Sequence, residues 1–140
     1  MGKSRWALFK MGIGNRNKKF GWLWMLIGII VGAVLGMWSF NGPFASPLGD
    51  YTSLPRRLVR LAHIAFIALG IINVLYGYEI DKLKQSSKLL GSWAMMLGAI
   101  MMPIFLIGAA FYEPMKYLTV IPASLVIIAL FVMVWGKLKD

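Results

Sequence analysis

The sequence predicts an all-α integral membrane protein with four antiparallel transmembrane helices, and three observations support this fold class. Of its 140 residues, 59% are hydrophobic and only 14% are charged, whereas soluble domains contain about 25% charged residues. Several runs lack any charge and reach the roughly 20 residues that an α-helix needs to cross the hydrocarbon core of a bilayer. All five acidic residues lie outside the apolar runs.

The predicted helices are separated by segments rich in charge, proline or glycine. We expect one membrane domain, residues 1–140, with helices over about 20–40, 58–78, 89–111 and 118–135. Residues 1–19 contain six basic residues and no acidic one, which suits either a segment at an anionic membrane surface or a tail that fixes topology. Residues 41–55 contain three prolines and two glycines, which indicates an irregular outer loop.

The distribution of basic residues predicts the orientation. With a cytoplasmic N-terminus, eleven of the 15 lysines and arginines lie on the cytoplasmic side of the predicted helices and four on the other. Cytoplasmic segments of membrane proteins carry such an excess. We therefore expect both termini in the cytoplasm of a bacterium, and a multi-pass protein of its inner membrane. Since topology accounts for the net charge of +10, we expect no nucleic-acid partner.

The first predicted helix contains glycines at intervals of four residues, at Gly28, Gly32 and Gly36. Small residues at this spacing form a smooth strip where the backbone of another helix approaches closely. We expect these three glycines to serve helix packing.

The second predicted helix carries the polar residues of the candidate site. Arg56, Arg60 and His63 are separated by four and three positions, so they share one helix face. An ionisable residue inside a membrane helix marks a functional site by default, because its burial there is costly. Three ligands are compatible with this face: haem b with His63 on the iron, a quinone, or the headgroup of a phospholipid. In a purely structural alternative, His63 bonds a neighbouring helix and the arginines extend to the headgroups.

Haem in a helical bundle usually has two axial ligands, and the chain contains one histidine. The second ligand would come from Met37, Met101 or Met102 on the neighbouring helices, or from a partner subunit. Methionine is otherwise a common filler of irregular apolar gaps, and adjacent methionines point to different helix faces. A copper path is therefore not favoured.

Several other classes of function lack the residues that they need. The chain has no cysteine, which excludes disulfides, a thiolate nucleophile and a cysteine-ligated cluster. The predicted helices contain no acidic residue, whereas proton-coupled carriers usually use an intramembrane carboxylate. The sequence also lacks HExxH, P-loop and GxGxxG motifs.

These observations favour an accessory or anchor subunit of a larger energy-transducing complex, in respiratory or photosynthetic electron transfer. We expect it to have no enzymatic activity of its own, although the complex would be an oxidoreductase. Its partners would be other membrane subunits and the lipid bilayer, with no soluble substrate. Two alternatives stay open: a membrane electron carrier of the cytochrome b or quinone-interacting type that uses His63, and a small four-helix transporter or channel.

Overall fold

The computed structural model describes residues 12–38, 48–84 and 87–139, and within these ranges all regular structure is helical. The α-helices are α1 (Ile13–Trp38), α2 (Leu54–Ile80), α3 (Lys88–Phe111) and α4 (Val120–Lys139), with a 3-10 helix, Glu113–Thr119, before α4. Within these ranges, four helical segments are long and apolar enough to cross a membrane. This confirms the all-helical class with four candidate spans and supports a multi-pass membrane protein.

The first helix begins at Ile13 rather than near Phe20, so part of the predicted surface segment belongs to α1. The first turn of α1 has a partner distant in sequence, because the Asp81 carboxylate accepts a hydrogen bond from the Gly14 amide at 2.9 Å. Amide groups in the first turn of a helix lack partners inside the helix, and a carboxylate there satisfies one of them. Residues 1–11 of the predicted segment 1–19, and residues 41–47 of the predicted loop, lie outside the described residues.

The second helix also begins earlier than predicted, at Leu54. Ser53 is its N-cap, with Oγ accepting a hydrogen bond from the Arg56 amide at 3.4 Å, and Pro55 lies in the first turn. Proline is well tolerated at this position because its missing N–H would have no partner inside the helix.

Of the three prolines in the second half of the chain, Pro103 and Pro122 lie inside α-helices and Pro114 lies in the 3-10 helix. The third helix continues through Pro103, whose ring is fully buried. The segment between α3 and α4 contains the 3-10 helix, with Pro114 in its first turn. Pro122 lies in the first turn of α4.

Each helix packs mainly against the next one along the chain. Contacts between α1 and α3, and between α2 and α4, are far fewer. As a result, α1 and α4 have only 11% and 22% of their most apolar windows buried, against 33% for α2 and 50% for α3. The outer faces of α1 and α4 are therefore open to lipid or to partner helices.

The first two helices approach closely along glycines that recur every seven residues in each helix. Gly14 lies against Gly77, and a Cβ atom on Gly21 would lie 2.5 Å from the carbonyl oxygen of Gly70. A seven-residue repeat keeps one helix face turned toward its partner, and small residues there allow the backbones to approach. His63 occupies the next position of this repeat in α2.

Candidate functional site

The predicted polar face of α2 lines a pocket between the N-terminal half of α2 and the C-terminal half of α1. The pocket has a volume of about 220 Å³. Arg56, Arg60 and His63 all line it, together with Tyr51. The rest of the wall consists of glycine and aliphatic residues, namely Gly32, Leu35, Gly36, Leu48 and Val59. The structure thus brings the three sequence-predicted polar residues to one cavity.

His63 is half-buried between α1 and α2. Its Nδ1 atom lies 2.9 Å from the carbonyl oxygen of Gly28. Because a carbonyl oxygen only accepts hydrogen bonds, this contact assigns a proton to Nδ1, and in the matching neutral tautomer the lone pair is on Nε2. A Cβ atom on Gly32 would collide with Cε1 of the ring. Gly32 therefore supplies the space in which the imidazole lies.

The three predicted packing glycines have different surroundings. A Cβ atom on Gly28 would lie 2.8 Å from Cβ of Phe66 in α2, and Gly32 faces the His63 ring. A Cβ atom on Gly36 would meet no atom of the described residues within 4 Å. Gly28 and Gly32 thus lie against α2, whereas Gly36 lies on the open wall of the pocket.

Arg60 is held at the pocket wall by the turn that precedes α2. Its guanidinium carbon lies 4.3 Å from the centroid of the Tyr51 ring, and Nη2 donates a hydrogen bond to the Tyr51 carbonyl oxygen at 3.2 Å. The turn itself is fixed because Ser53 Oγ donates to the Leu48 carbonyl oxygen at 2.5 Å. Gly49 has a φ of 68°, in the left-handed region that favours glycine.

The lining carries positive charge and no acidic side chain. Arg56 lies one helical turn before Arg60, while Arg57 is exposed and does not line the pocket. Among the residues that the structure describes, no group of three or more histidine, cysteine, aspartate or glutamate residues is placed to hold a metal ion. The chemistry available here is recognition of an anion or a hydrogen-bonding group beside an apolar wall.

Two of the candidate second haem ligands do not line the described part of this pocket. Met101 and Met102 lie in α3 and are not among the lining residues. The side chain of Met37 lies outside the described residues.

A second polar cluster, which the sequence pattern did not reveal, joins α1, α2 and α3. Asn17, Asn73 and Ser92 are fully buried. Asn17 Nδ2 donates to Asn73 Oδ1 at 3.1 Å and to the Ser92 carbonyl oxygen at 3.4 Å. Ser92 Oγ donates to Asn17 Oδ1 and accepts from Arg16 Nη2 at 3.1 Å. The only signal in the sequence was Asn73 within an apolar run, because Asn17 fell in the predicted surface segment.

Charged contacts lie at the end of α2 opposite the pocket. Glu79 accepts from Lys82 at 2.7 Å and from Lys137 of α4 at 2.5 Å. Together with the Gly14–Asp81 hydrogen bond, these contacts bring the start of α1 and the end of α4 to the C-terminal end of α2.

Comparison with known proteins identified no relative of this chain. No protein-family model matches the chain, and neither the curated proteins nor the solved structures yield a match. Function therefore has to be inferred from the geometry of the pocket.

Proposed function

We propose that this chain is an accessory subunit of a larger membrane complex, and that its pocket holds the headgroup of an anionic lipid at a subunit boundary. The observation that carries the proposal is the convergence of Arg56, Arg60 and His63 on one cavity without an acidic lining residue. The planar guanidinium group matches the geometry of phosphate oxygens. We propose no enzymatic activity for the chain by itself.

In this proposal the four helices cross a bacterial inner membrane in antiparallel order, with both termini in the cytoplasm. The excess of basic residues on one side supports this orientation. The contacts of Asp81 with the start of α1, and of Glu79 with the end of α4, support the antiparallel order. The pocket would then lie at the outer membrane–water interface, where lipid headgroups meet the helix ends.

The role as a subunit is supported by the poor burial of the flanking helices. The chain covers only 11% of the apolar window of α1 and 22% of that of α4. Large side chains on these faces, such as Ile29 and Phe131, are about 60% and 63% exposed. Such faces accept partner helices as well as lipid. In this proposal the parent complex is energy-transducing, and the face formed by Arg56, Arg60 and His63 meets a lipid or a cofactor at a subunit boundary.

Native mass spectrometry of the particle, purified gently from its own membrane, tests both parts of this proposal. We expect a particle much heavier than one 15.7 kDa chain, with bound phospholipid. Arg60→Gln should lower the fraction of particles that retain anionic lipid. Arg57→Gln is the matched control, because it removes the same charge from the same helix end outside the pocket. A lipid-free particle of this chain alone, with substrate flux in vesicles, would instead support a transporter or channel.

A quinone-interacting or b-type electron carrier is the second candidate. The observation in its favour is the hydrogen bond from Nδ1 of His63 to Gly28, since such a bond orients ligand-binding imidazoles and leaves Nε2 to the ligand. The pocket of about 220 Å³ is smaller than the ~300–1,000 Å³ typical of sites for drug-sized ligands. This volume favours a headgroup or a quinone ring over a porphyrin.

A reduced-minus-oxidised absorption spectrum of the same particle tests the haem form of the second candidate. A b-type band that disappears in His63→Ala would make His63 an axial haem ligand and displace the lipid proposal. We expect the spectrum to be unaffected by this substitution.

A further inference from the structure

We infer that the pocket selects an anionic phosphodiester headgroup that carries a free hydroxyl, such as that of phosphatidylglycerol. Arg56 and Arg60 would bind the phosphate, and Nε2 of His63 would accept a hydrogen bond from the hydroxyl. The inference rests on the proposed function, because it names the lipid class for the same pocket.

The first step is the direction of the His63 ring. Nδ1 donates to the Gly28 carbonyl oxygen, so Nε2 of the neutral ring has a lone pair and accepts hydrogen bonds. Cε1, which lies between the two nitrogens in the ring, faces Gly32. Gly28 does not line the pocket, whereas Gly32 and Gly36 do. The ring edge that faces the cavity is therefore the edge that carries Nε2.

The second step is the choice between kinds of hydrogen-bonding ligand. Because Nε2 accepts hydrogen bonds, it can bind a hydroxyl group. It cannot bind a deprotonated phosphate oxygen, which is also only a hydrogen-bond acceptor. A ligand that satisfies both the imidazole and the arginines must therefore combine an anionic group with a hydroxyl donor. Phosphatidic acid has no headgroup alcohol and, as the dianion, no O–H donor, whereas phosphatidylcholine has a zwitterionic headgroup whose choline group has no hydroxyl.

The third step is the position of the phosphate. Arg60 is oriented by its contacts with Tyr51. Its hydrogen bond to the Tyr51 carbonyl oxygen uses one guanidinium nitrogen. A guanidinium group has five N–H donors in a fixed fork, so donors remain for phosphate oxygens. Arg56 lies one turn away along α2 and also lines the cavity. His63 lies one turn beyond Arg60 along α2. In this arrangement the headgroup hydroxyl lies beside His63 and the phosphate lies beside the two arginines.

Competition between lipids, measured by native mass spectrometry on the full-length chain or its native particle, tests the inference. Phosphatidylglycerol, phosphatidic acid and phosphatidylcholine are offered at equal amounts in mixed micelles. We expect phosphatidylglycerol to be retained roughly 3- to 10-fold over phosphatidic acid, which corresponds to about one hydrogen bond. Phosphatidylcholine should be retained least.

His63→Asn is the discriminating variant. An asparagine amide keeps a donor near the position of Nδ1, so it preserves the contact with Gly28, but it has no acceptor at the position of Nε2. We expect His63→Asn to bind phosphatidylglycerol and phosphatidic acid equally while still preferring both over phosphatidylcholine. An unchanged preference for phosphatidylglycerol in His63→Asn would overturn the assignment of the hydroxyl to His63.

Gly36→Leu provides a test that does not depend on the packing of His63. The position has open space toward the pocket, so a leucine there should fill the cavity without displacing α2. We expect the elution volume and the melting temperature to be retained and phosphatidylglycerol binding to be lost. Full binding by this variant would exclude the pocket as the lipid site.

The outcomes distinguish this inference from the proposed function. If wild-type protein retains phosphatidylglycerol and phosphatidic acid equally, and Arg60→Gln loses both, the hydroxyl inference fails and the anionic-lipid proposal stands. If Arg56→Gln and Arg60→Gln behave like Arg57→Gln, both fail. If soluble glycerol phosphate displaces the bound lipid and inorganic phosphate does not, the pocket recognises the polar headgroup without its acyl chains. Retention of lipid against glycerol phosphate would assign it to the intact lipid.

Discussion

The imidazole of His63 fills the space that a side chain on Gly32 would occupy, so these two residues form one packing unit across α1 and α2. Gly32→Ala should push the ring away from Gly28 and break the hydrogen bond from Nδ1. We expect a loss of about 1–3 kcal/mol in the free energy of unfolding, as for overpacking elsewhere in tightly packed interiors. The measurement is reversible unfolding in mixed micelles.

Gly36→Ala is the matched control for Gly32→Ala. It adds the same methyl group to the same helix one turn later, where no described atom lies within 4 Å. We expect it to change the free energy of unfolding by no more than about 0.5 kcal/mol, as substitutions without close contacts usually do. Equal stability of the two variants would contradict the packing of His63 against Gly32.

The cluster of Asn17, Asn73 and Ser92 should contribute to stability independently of the pocket. Asn17→Ala leaves Asn73 Oδ1 and the Ser92 carbonyl oxygen without this donor. Hydrogen bonds between membrane helices contribute about 0.6 kcal/mol on average and up to ~1.7 kcal/mol, and we expect a loss near the upper value because one side chain joins three helices.

A double-mutant cycle of Asn17→Ala with Asn73→Ala measures the coupling directly. Ser124→Ala serves as the control, because Ser124 is exposed and bonds only the Val120 carbonyl oxygen of its own helix. Strict additivity of the two asparagine substitutions would show that the hydrogen bond between them has no energetic effect.

The four candidate membrane spans and the polar face of α2 could be predicted because both depend on local sequence. Long uncharged runs mark the spans, and the spacing of Arg56, Arg60 and His63 fixes their common face whatever surrounds it. Tyr51 was not predicted as part of the pocket, since its place depends on the turn around Gly49 and on the N-cap at Ser53.

Features that depend on partners distant in sequence were not predicted. The Asp81 carboxylate contacts the first turn of α1 from 67 positions away, and a contact so distant in sequence leaves no signal beside Ile13. Gly32 and Gly36 look equivalent in sequence, yet only Gly32 faces a side chain of α2. The difference lies in the register of the two helices, which the spacing of glycines in one helix does not determine.

Tyr76 attaches α2 to α4 by a single hydrogen bond, in which its hydroxyl donates to the Ala129 carbonyl oxygen at 3.0 Å. The side chain is 4% exposed and belongs to the core cluster that includes Ile80 and Met95. Tyr76→Phe removes only the hydroxyl, and we expect it to lower the free energy of unfolding by about 0.5–1.5 kcal/mol.

Tyr78→Phe is the natural comparison for Tyr76→Phe. Tyr78 is 57% exposed, and its ring contact with Lys18, at 4.7 Å, does not need the hydroxyl. We expect no measurable change in stability for Tyr78→Phe. A loss as large as that of Tyr76→Phe would mean that the bond to Ala129 is not the cause.

Single cysteines test the proposed orientation cleanly, because the chain has no cysteine of its own. Thr52 precedes α2 and Tyr117 lies in the 3-10 helix, whereas Lys139 ends α4, and all three are exposed. With the basic termini in the cytoplasm, an impermeant maleimide should label Thr52→Cys and Tyr117→Cys in right-side-out vesicles. Lys139→Cys should be labelled only in inverted vesicles, and wild-type protein in neither. The reverse pattern would place the pocket on the cytoplasmic side, where any lipid that it binds would come from the inner leaflet.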